Sequence, residues 1–420
     1  MRTEDDLAAA LREGARSAPE PDLLAGVARF RRRRSRRRTQ FLAAAAVVAV
    51  VSASTAVAGG FLSRRGGEGV VSPTGPATSA PTSASTSAST PAVSMTASAR
   101  IPAVEAGDLW PEALFTMPAK NADGWRYRPI TALSATEVLL SAESSFERSG
   151  KIEIYDTKTK ESRLVTEVPK NPDLKGYIAQ TATADGTNVA WFAFGQQADG
   201  TPVRDIWTAP LAGGEARLIA TRTGADAEMD AIALDGDRVV WSLRQGGVWH
   251  VPLAGGTPEE LPGGAGLHLI SWPWASDMAE GPPNTERNQT KVVNLTSGHV
   301  NRLAAPPGVK GLRCGPLWCY GRTEQGGLVQ RVDGTSRRES RDLGFAGGLS
   351  PYPILDRFLA VGGGVYDLRT GKRVTVDNPG NWSGVGTSSE ASTILYWGAT
   401  KADKPDKFRV LNLAAVPPAQ

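Results

Sequence analysis

Histidine is scarce in this chain, which limits the acid–base and metal chemistry that it can support. The sequence contains only His250, His268 and His299, and no two of them are neighbours along the chain. A structural zinc site needs about four ligands, and no second cluster of cysteine or histidine accompanies the one cysteine pair. We therefore predict no metal site and no cofactor, and we assign each histidine a structural or surface role.

The motifs of nucleophilic catalysis are also missing. The G-x-S-x-G elbow of hydrolases is absent, and no glycine-rich phosphate loop is found. A Ser–His–Asp triad assembled from distant residues stays open as an alternative. Thr183–Trp191 only superficially resembles a box found in glycosidase propellers, because its Asp185-Gly186 pair is typical of a hairpin turn. The sequence thus predicts no catalytic residue.

The two cysteines lie close together in the stretch RCGPLWCYG. Cys314 and Cys319 are separated by four residues, which is not the spacing of a C-x-x-C redox motif. Outside the cell such a pair forms a local disulfide. We predict a Cys314–Cys319 bridge that staples a hairpin and contributes about 2 kcal/mol in the chain-entropy model.

The elements that must position any site form a repeated unit. Two PLAGG turns, at 210–214 and 252–256, lie 42 residues apart, and in each unit a strand that ends in tryptophan, a loop and a second strand precede the turn. A hairpin of this kind recurs seven times, and four strands with their loops need about 40 residues. The sequence predicts an all-β fold, a seven-bladed β-propeller at 106–420, with six or eight blades as alternatives. The hairpins begin at Lys151, Asp205, Gly247, Lys291, Gly327, Gly363 and Lys407.

Two further expectations concern how the blades are completed and packed. The last unit is one strand short, and an open sheet edge pairs with other chains. We expect the stretch 112–117 to supply the missing outer strand. The recurring tryptophans are expected to form the core between blades and not a sugar-binding platform; they are Trp191, Trp241, Trp272 and Trp397.

The repeat resembles that of TolB-like, WD40-related propellers. The stretch ADGTNVAW, followed by DIWTAPLAGGEARLIA, carries the D-G turn, the aromatic-ended strand and the G-G turn of that unit, clearly at 185–219 and 235–261. The resemblance implies a propeller and residence outside the cytoplasm. It does not extend to TolB's own partners, since the family's N-terminal domain is absent.

Unequal connections predict a binding rim on one face of the ring. The connection between the second and third strands is short in three units and long at 141–150, 195–204, 275–290 and 398–406. These connections share one propeller face, where ligands usually bind. Tolerated loop insertions are the alternative. The predicted rim consists of Glu147, Arg148, Gln196, Asp199, Lys401 and Lys404.

An uncharged segment assigns the compartments. Phe41–Leu62 would reach about 33 Å as a helix, against about 30 Å of bilayer hydrocarbon. The preceding run Arg29–Arg38 holds eight arginines, which predicts a cytoplasmic N-terminus and contact with anionic lipid. We predict a transmembrane helix at 41–62. Secretion after cleavage near Ala58 is the alternative.

The segments on either side of this helix differ in composition. Residues 1–40 form a basic tail, predicted to contain short helices, with eleven Arg against six acidic side chains. The other 380 residues therefore carry 36 basic and 37 acidic groups, which argues against nucleic acid as a partner of the propeller. Residues 63–105, rich in Ser, Thr, Ala and Pro, are predicted to be a disordered linker.

These features predict a non-catalytic, membrane-tethered module that binds or senses a protein or cell-envelope ligand on one propeller face. An extracellular propeller enzyme, such as a lyase or glycan hydrolase, is the first alternative. The layout also resembles membrane-tethered proteins of high-GC Gram-positive bacteria, some of which accompany alternative sigma factors. A cytoplasmic regulator bound by residues 1–40 is therefore the second alternative, although the zinc-binding motif of many anti-sigma factors is missing.

Overall fold

A computed structural model describes residues 100–145, 148–278, 286–344, 350, 352–376, 388–399 and 405–419. All of them belong to the unit Ser87–Gln420. The predicted tail, transmembrane helix and nearly all of the predicted linker lie outside the described residues. Across the described part of the chain, no helix has the length and apolar character needed to cross a membrane.

Seven sheets in the described residues form a seven-bladed β-propeller, as the repeats predict. We call the strands of a blade A to D, from the channel outwards. Blades 1 to 3 each contain four strands. They are β3 (Arg126–Ala132), β4 (Glu137–Ser145), β5 (Arg148–Asp156) and β6 (Glu161–Glu167); β7 (Lys175–Ala184), β8 (Asn188–Gln196), β9 (Pro202–Pro210) and β10 (Arg217–Thr223); and β11 (Met229–Asp235), β12 (Arg238–Leu243), β13 (Val248–Pro252) and β14 (Glu259–Glu260).

Blades 4 and 5 repeat this order with shorter strands. The A strands run antiparallel to the B strands throughout. Blade 4 consists of β15 (His268–Ser271), β16 (Trp274–Ser276), β17 (Lys291–Asn294) and β18 (Val300–Arg302), and blade 5 of β19 (Lys310–Cys314), β20 (Trp318–Thr323), β21 (Gly326–Arg331) and β22 (Arg338–Ser340).

Blades 6 and 7 are completed by the N-terminal part of the fold. Blade 6 contains β23 (Phe358–Val361), β24 (Gly364–Asp367) and β25 (Arg373–Thr375) as its B, C and D strands, and blade 7 contains β26 (Ile394–Gly398) and β27 (Lys407–Asn412) as its B and C strands. Their outermost strands are β1 (Ala103–Glu105) and β2 (Leu114–Pro118), respectively. One short helix, α1 (Ala106–Leu109), and four 3₁₀ turns, Pro111–Ala113, Gly224–Ala227, Arg341–Leu343 and Leu413–Ala415, complete the described elements.

The predicted closure of the ring is confirmed. Strand β2 pairs antiparallel with β27, with Leu114 opposite Leu411 and Pro118 opposite Lys407. The strand begins two residues later than expected, because Pro111–Ala113 form a 3₁₀ turn. Closure removes the edge that blade 7 would otherwise expose to other chains.

The segment before β2 attaches to two more blades, which the sequence does not predict. The Ile101 amide donates to an Asp342 carboxylate oxygen of blade 5 at 2.7 Å, and β1 pairs in parallel with β25 of blade 6. Strand β1 occupies the last three residues of the predicted linker, so the propeller begins before residue 106. Between the two strands, Trp110 packs edge-on against Phe358 at 5.6 Å between ring centroids.

The core is divided among the seven blade interfaces. Seven clusters of buried side chains occur, and each joins two neighbouring blades. Alternate residues of one strand serve opposite interfaces, as the period of two requires: Leu139 of β4 faces blade 2, whereas Leu140 faces blade 7. Burial of apolar area between blades is thus what holds the ring together.

The tryptophan prediction is confirmed for three of four residues. Trp191, Trp241 and Trp397 lie on B strands and are at most 1% exposed. Trp272 differs, because it lies in the A–B turn of blade 4 and is only half-buried. It still packs against the cluster between blades 3 and 4.

The recurring turn sequences have identifiable roles. In the A–B turn of blade 2, the Asp185 carboxylate accepts the amides of Thr187 and Asn188 at 2.6 and 2.7 Å, which confirms the predicted hairpin turn. The PLAGG turns join blades, because the carbonyl of Leu211 accepts from the Arg163 guanidinium at 2.7 Å. The carbonyl of Leu253 accepts from Arg217 in the same way, also at 2.7 Å.

The predicted disulfide is present. Cys314 and Cys319 are bonded and lie opposite each other on β19 and β20, with their Cα atoms 3.9 Å apart. Both are buried in the cluster between blades 4 and 5. The bridge links the two strands of the A–B hairpin of blade 5, so it is a local link within one hairpin, as predicted.

The loop inside the disulfide is held by a carboxyl group of the next blade. Asp356 Oδ1 accepts the amides of Leu317 and Trp318 at 3.1 and 3.2 Å. Burial raises the pKa of Asp356 to about 6, although these two hydrogen bonds and the charges of Arg331 and Arg369 oppose the shift. The folded protein therefore binds a proton here more readily than the unfolded chain does.

This carboxyl group predicts a pH-dependent contribution to stability. Because the folded pKa lies above the unfolded value of about 3.9, the contribution is present at low pH and is lost as the pH rises from about 4 to about 6. Asp356→Asn should abolish that component, on the order of 2 kcal/mol, in denaturant unfolding followed at pH 4 and pH 7. Asp237→Asn, at the exposed A–B turn of blade 3, is the matched control. Equal pH profiles for wild type and Asp356→Asn would contradict the assignment.

Candidate functional site

The B–C connections gather on one face of the ring, which we call the B–C face. Among the described residues it comprises the connections 197–201, 244–247, 324–325 and 362–363, and the ends 277–278, 286–290, 399 and 405–406 of two longer connections. The A strands begin on this face and the D strands end there. In propellers such faces carry loops that contact ligands.

Blades 1 and 2 rise above the rest of this face. Their B and C strands are nine residues long, whereas B strands elsewhere have three to six residues in the described ranges. The expectation that 141–150 and 195–204 are loops is therefore wrong for most of these residues. Polar residues continue the strands there, because backbone pairing between β4 and β5 and between β8 and β9 persists to their tips. We call the two long hairpins the wall.

The predicted rim residues fall partly on this wall. Gln196 is the last residue of β8, and Asp199 lies in the turn of the same hairpin, where its Oδ1 accepts the Thr201 amide at 2.8 Å. Arg148 is the first residue of β5. Glu147, Lys401 and Lys404 lie outside the described residues, so a common rim of all six side chains stays a prediction.

A buried ion pair supports the base of the blade 1 hairpin. Arg128 Nη2 lies 2.6 Å from Glu143 Oε2, and the Glu143 side chain is 8% exposed. Burial raises the pKa of Glu143, and the guanidinium of Arg128 opposes that shift. Burial also raises the pKa of the neighbouring Tyr396 to about 12. The ion pair therefore stabilises the hairpin, and neither of its side chains is available as a general acid or base.

Polar side chains brace the blade 2 hairpin in a similar manner. The Tyr177 hydroxyl donates to Asp205 Oδ2 at 2.8 Å and accepts from the Trp207 indole at 2.8 Å. Thr221 donates to the other Asp205 oxygen at 2.7 Å. Burial and the Asp205 carboxylate raise the pKa of Tyr177, so it stays a phenol at neutral pH. Strands A, C and D of the blade are thereby locked into one rigid sheet.

A histidine, an aspartate and a serine meet at the start of the A strands of blades 3 and 4. His268 Nδ1 lies 2.7 Å from Asp230 Oδ2, and the Ser242 hydroxyl donates to the other Asp230 oxygen. The Leu269 amide donates to the Ser242 oxygen at 3.0 Å. A nucleophilic triad needs the serine bonded to the histidine. Here the serine bonds the carboxylate instead, so the group ties blade 3 to blade 4.

The other two histidines are apart from this group. His250 lies on β13 with its Nδ1 buried and without a hydrogen-bond partner. His299 is exposed, and its Nε2 lies 3.0 Å from Asn301 Oδ1. Within the residues that the structure describes, no three His, Cys, Asp or Glu side chains are grouped as metal ligands.

A segment before blade 7 crosses the central channel. Ser388 forms a parallel bridge with Ala182 of blade 2, and the Ser389 amide donates to the Ala182 carbonyl at 3.0 Å. The Ser389 hydroxyl accepts the Ile232 amide of blade 3 at 2.6 Å. Further along, Thr393 bonds to Thr131 of blade 1. The segment 388–393 thus bonds to the A strands of three neighbouring blades, 1, 2 and 3, which the repeats do not predict.

An open groove lies elsewhere, at the outer edge of blades 1 and 2. Its volume is about 770 Å³, and it runs between β6 and the glycine turn after β9. The Gly214 amide donates to the Val165 carbonyl across its floor at 3.0 Å. None of the predicted rim residues lines it; the lining is Leu164–Lys170 and Gly214–Ala216.

Comparison with known proteins does not assign this chain to a family. No protein-family model and no curated protein matches the chain. Among solved structures, it is similar to the computationally designed Ika8 protein (16% identity, 70% of this chain and 86% of the other, TM-score 0.36). It is also similar to an oligogalacturonate lyase in complex with manganese (10%, 68% and 76%, 0.37) and to BamB from Moraxella catarrhalis (13%, 71% and 97%, 0.36). These likenesses are weak, and the propeller assignment rests on the seven sheets themselves.

Proposed function

We propose that this protein is a membrane-tethered binding module whose propeller lies outside the cytoplasm and receives a protein or cell-envelope ligand on the B–C face. The observation that carries the proposal is the wall, because its nine-residue strands extend blades 1 and 2 beyond the B-strand lengths of the other blades in the described residues. The braced side chains beneath both hairpins keep that surface rigid, which lowers the entropy that binding costs.

The compartments in this proposal rest on sequence. The apolar stretch 41–62 follows an arginine run and precedes a long low-complexity segment. The disulfide supports residence in an oxidising compartment, since such bonds are rare in the cytosol. In this arrangement residues 1–40 lie in the cytoplasm, where they could pass a signal to a regulator.

Fractionation of cells that produce the full chain tests the tether. We expect the protein in the membrane fraction at its full mass of 44.3 kDa, and we expect external protease to reach the propeller in intact cells. A soluble product that lacks about 58 residues would contradict the tether and favour secretion. Protection of the propeller from external protease would contradict its placement outside.

The binding role itself is tested by photocrosslinking on intact cells. A photoreactive residue at Gln197, exposed in the blade 2 turn of the wall, should capture a ligand. The same residue at Thr296, exposed in a C–D turn on the opposite face, is the matched control. A propeller enzyme, the alternative, would instead release products from a glycan substrate without retaining it.

A further inference from the structure

The guanidinium group of Arg204 lies in the cleft between blades 2 and 3, next to the wall, and has no counterion among the described residues. Arg204 is the third residue of β9, and its Cζ lies 4.7 Å from the Phe194 ring centroid and 5.4 Å from that of Phe192. Its Nε is buried without a hydrogen-bond partner. Among the described residues, no carboxylate lies within ion-pair distance of Arg204, and no acceptor bonds to it.

Two other arginines lie in the same cleft, and both have partners. Arg222 is directly opposite Arg204 on β10, bonds to Asp226 at 2.5 Å and stacks over the Trp249 ring at 5.2 Å. Arg244 of blade 3 lies 3.7 Å from Glu228. Each of these two cations therefore has its own carboxylate, whereas Arg204 has none within the part of the chain that the structure describes.

Burial makes a charge without a counterion costly. Burial lowers the pKa of Arg204 to about 10, an effect that Glu228 opposes and Arg244 reinforces. At neutral pH the group still carries its charge. A desolvated cation with free N–H donors gains more from an anion than a cation in water does.

The geometry points to a carboxylate-binding site at Arg204, in which the guanidinium takes one monoanionic carboxylate end-on through its two Nη groups. The aromatic rings fix the guanidinium plane, and bidentate pairing with a planar carboxylate uses that orientation. A single unmatched positive charge fits a monoanion better than a dianion. The inference deepens the proposed binding function by naming the chemical group that the B–C face would recognise beside the wall.

Calorimetric titration of the full-length chain at constant ionic strength tests the site with four probes. N-acetyl-glutamic acid α-amide represents an acidic side chain of a protein, glucuronate represents an acidic sugar, sulfate is the dianion, and chloride is the ionic-strength control. We expect saturable binding of the two carboxylates with millimolar dissociation constants, and the tighter of the two identifies the source of the carboxylate. Sulfate should bind at least about tenfold more weakly.

Substitutions then assign the binding to Arg204. Arg204→Gln should weaken carboxylate binding by about tenfold or more, a loss of about 1.4 kcal/mol, and Arg204→Lys should weaken it as well because an ammonium lacks the planar fork. Arg238→Gln is the control, since Arg238 also stacks over a ring, that of Trp272, but is paired with Asp235 at 2.6 Å on the opposite face. It should bind like the wild type.

Stability provides a second measurement. Without ligand, Arg204→Met should unfold at the same or a higher temperature than the wild type, because it removes an unpaired buried charge. A markedly lower midpoint, unchanged binding in Arg204→Gln, or tighter binding of sulfate than of the carboxylates would each overturn the site. If the full-length chain binds no carboxylate but still captures a ligand at Gln197, the carboxylate site is wrong and the proposed binding function still holds.

Discussion

Replacing Met117 with alanine is expected to lower the free energy of unfolding by about 2–5 kcal/mol, the range for large-to-small changes in a core. Met117 lies on β2, the strand that closes the ring, and is 1% exposed. It packs in the cluster between blades 7 and 1 with Phe408 and Tyr127. The cavity would therefore open where the two ends of the propeller meet.

Thr116→Ala is the matched control for this change. Thr116 precedes Met117 on the same strand, faces solvent and pairs with Arg409 in the same ladder. Its replacement should change stability by less than about 0.5 kcal/mol. Denaturant unfolding measures both variants. Equal stabilities would mean that β2 contributes no packing to the closure and would contradict the closed ring.

Arg357→Met should cost about 3–5 kcal/mol, because it leaves a carboxylate buried without its counterion. Arg357 Nη2 lies 2.9 Å from Asp367 Oδ2, and the Asp367 side chain is 1% exposed. Arg357 also donates to the Pro417 carbonyl at 2.6 Å. The pair thus joins the A–B turn of blade 6 to its C strand and to the chain beyond blade 7.

A second variant separates loss of the ion pair from a general packing defect. Removing both charges with Arg357→Met and Asp367→Asn should recover most of the lost stability, since no buried charge is left unpaired and the amide oxygen can still accept the Arg369 amide, which bonds Asp367 Oδ1 at 3.0 Å. Arg369→Met, at an exposed neighbour, is the surface control. A double variant as unstable as the single one would contradict the role given to the ion pair.

The repeats predict the fold because each blade encodes its own local turns. Asp185 caps a hairpin with its own carboxylate, and the PLAGG turns are fixed by glycines, with φ of 113° at Gly213 and 81° at Gly255. Such features depend on neighbours in sequence. The B-strand tryptophans and the disulfide can be predicted for the same reason.

The features that the sequence does not predict depend on contacts between distant residues. Strand β1 has three residues and no alternation to mark it, and it is a strand because the edge of β25 is open to it. The segment 388–393 crosses the channel through bonds to blades that lie some 200 residues away in sequence. In the sequence, Arg204 cannot be distinguished from an ordinary surface arginine. Only the structure shows that no carboxylate among the described residues pairs with it.

The candidate site is predicted only in outline. The sequence indicates the face and the unequal connections, since loop length can be counted. It does not reveal that 141–145, 148–150, 195–196 and 202–204 lie on paired strands, because their polar composition resembles that of loops. It also misses the network around Asp205, whose members Tyr177 and Thr221 lie on two other strands.

The most direct test of the proposed function is the yield of photocrosslinked ligand from intact cells at Gln197 compared with Thr296, each in the full-length chain. Both positions are exposed and lie on opposite faces of the ring. We expect a discrete, ultraviolet-dependent adduct at Gln197, at least about tenfold more abundant than at Thr296 and reduced by unlabelled full-length protein in excess. Equal yields at the two positions, or adducts at Thr296 alone, would contradict a binding role for the B–C face.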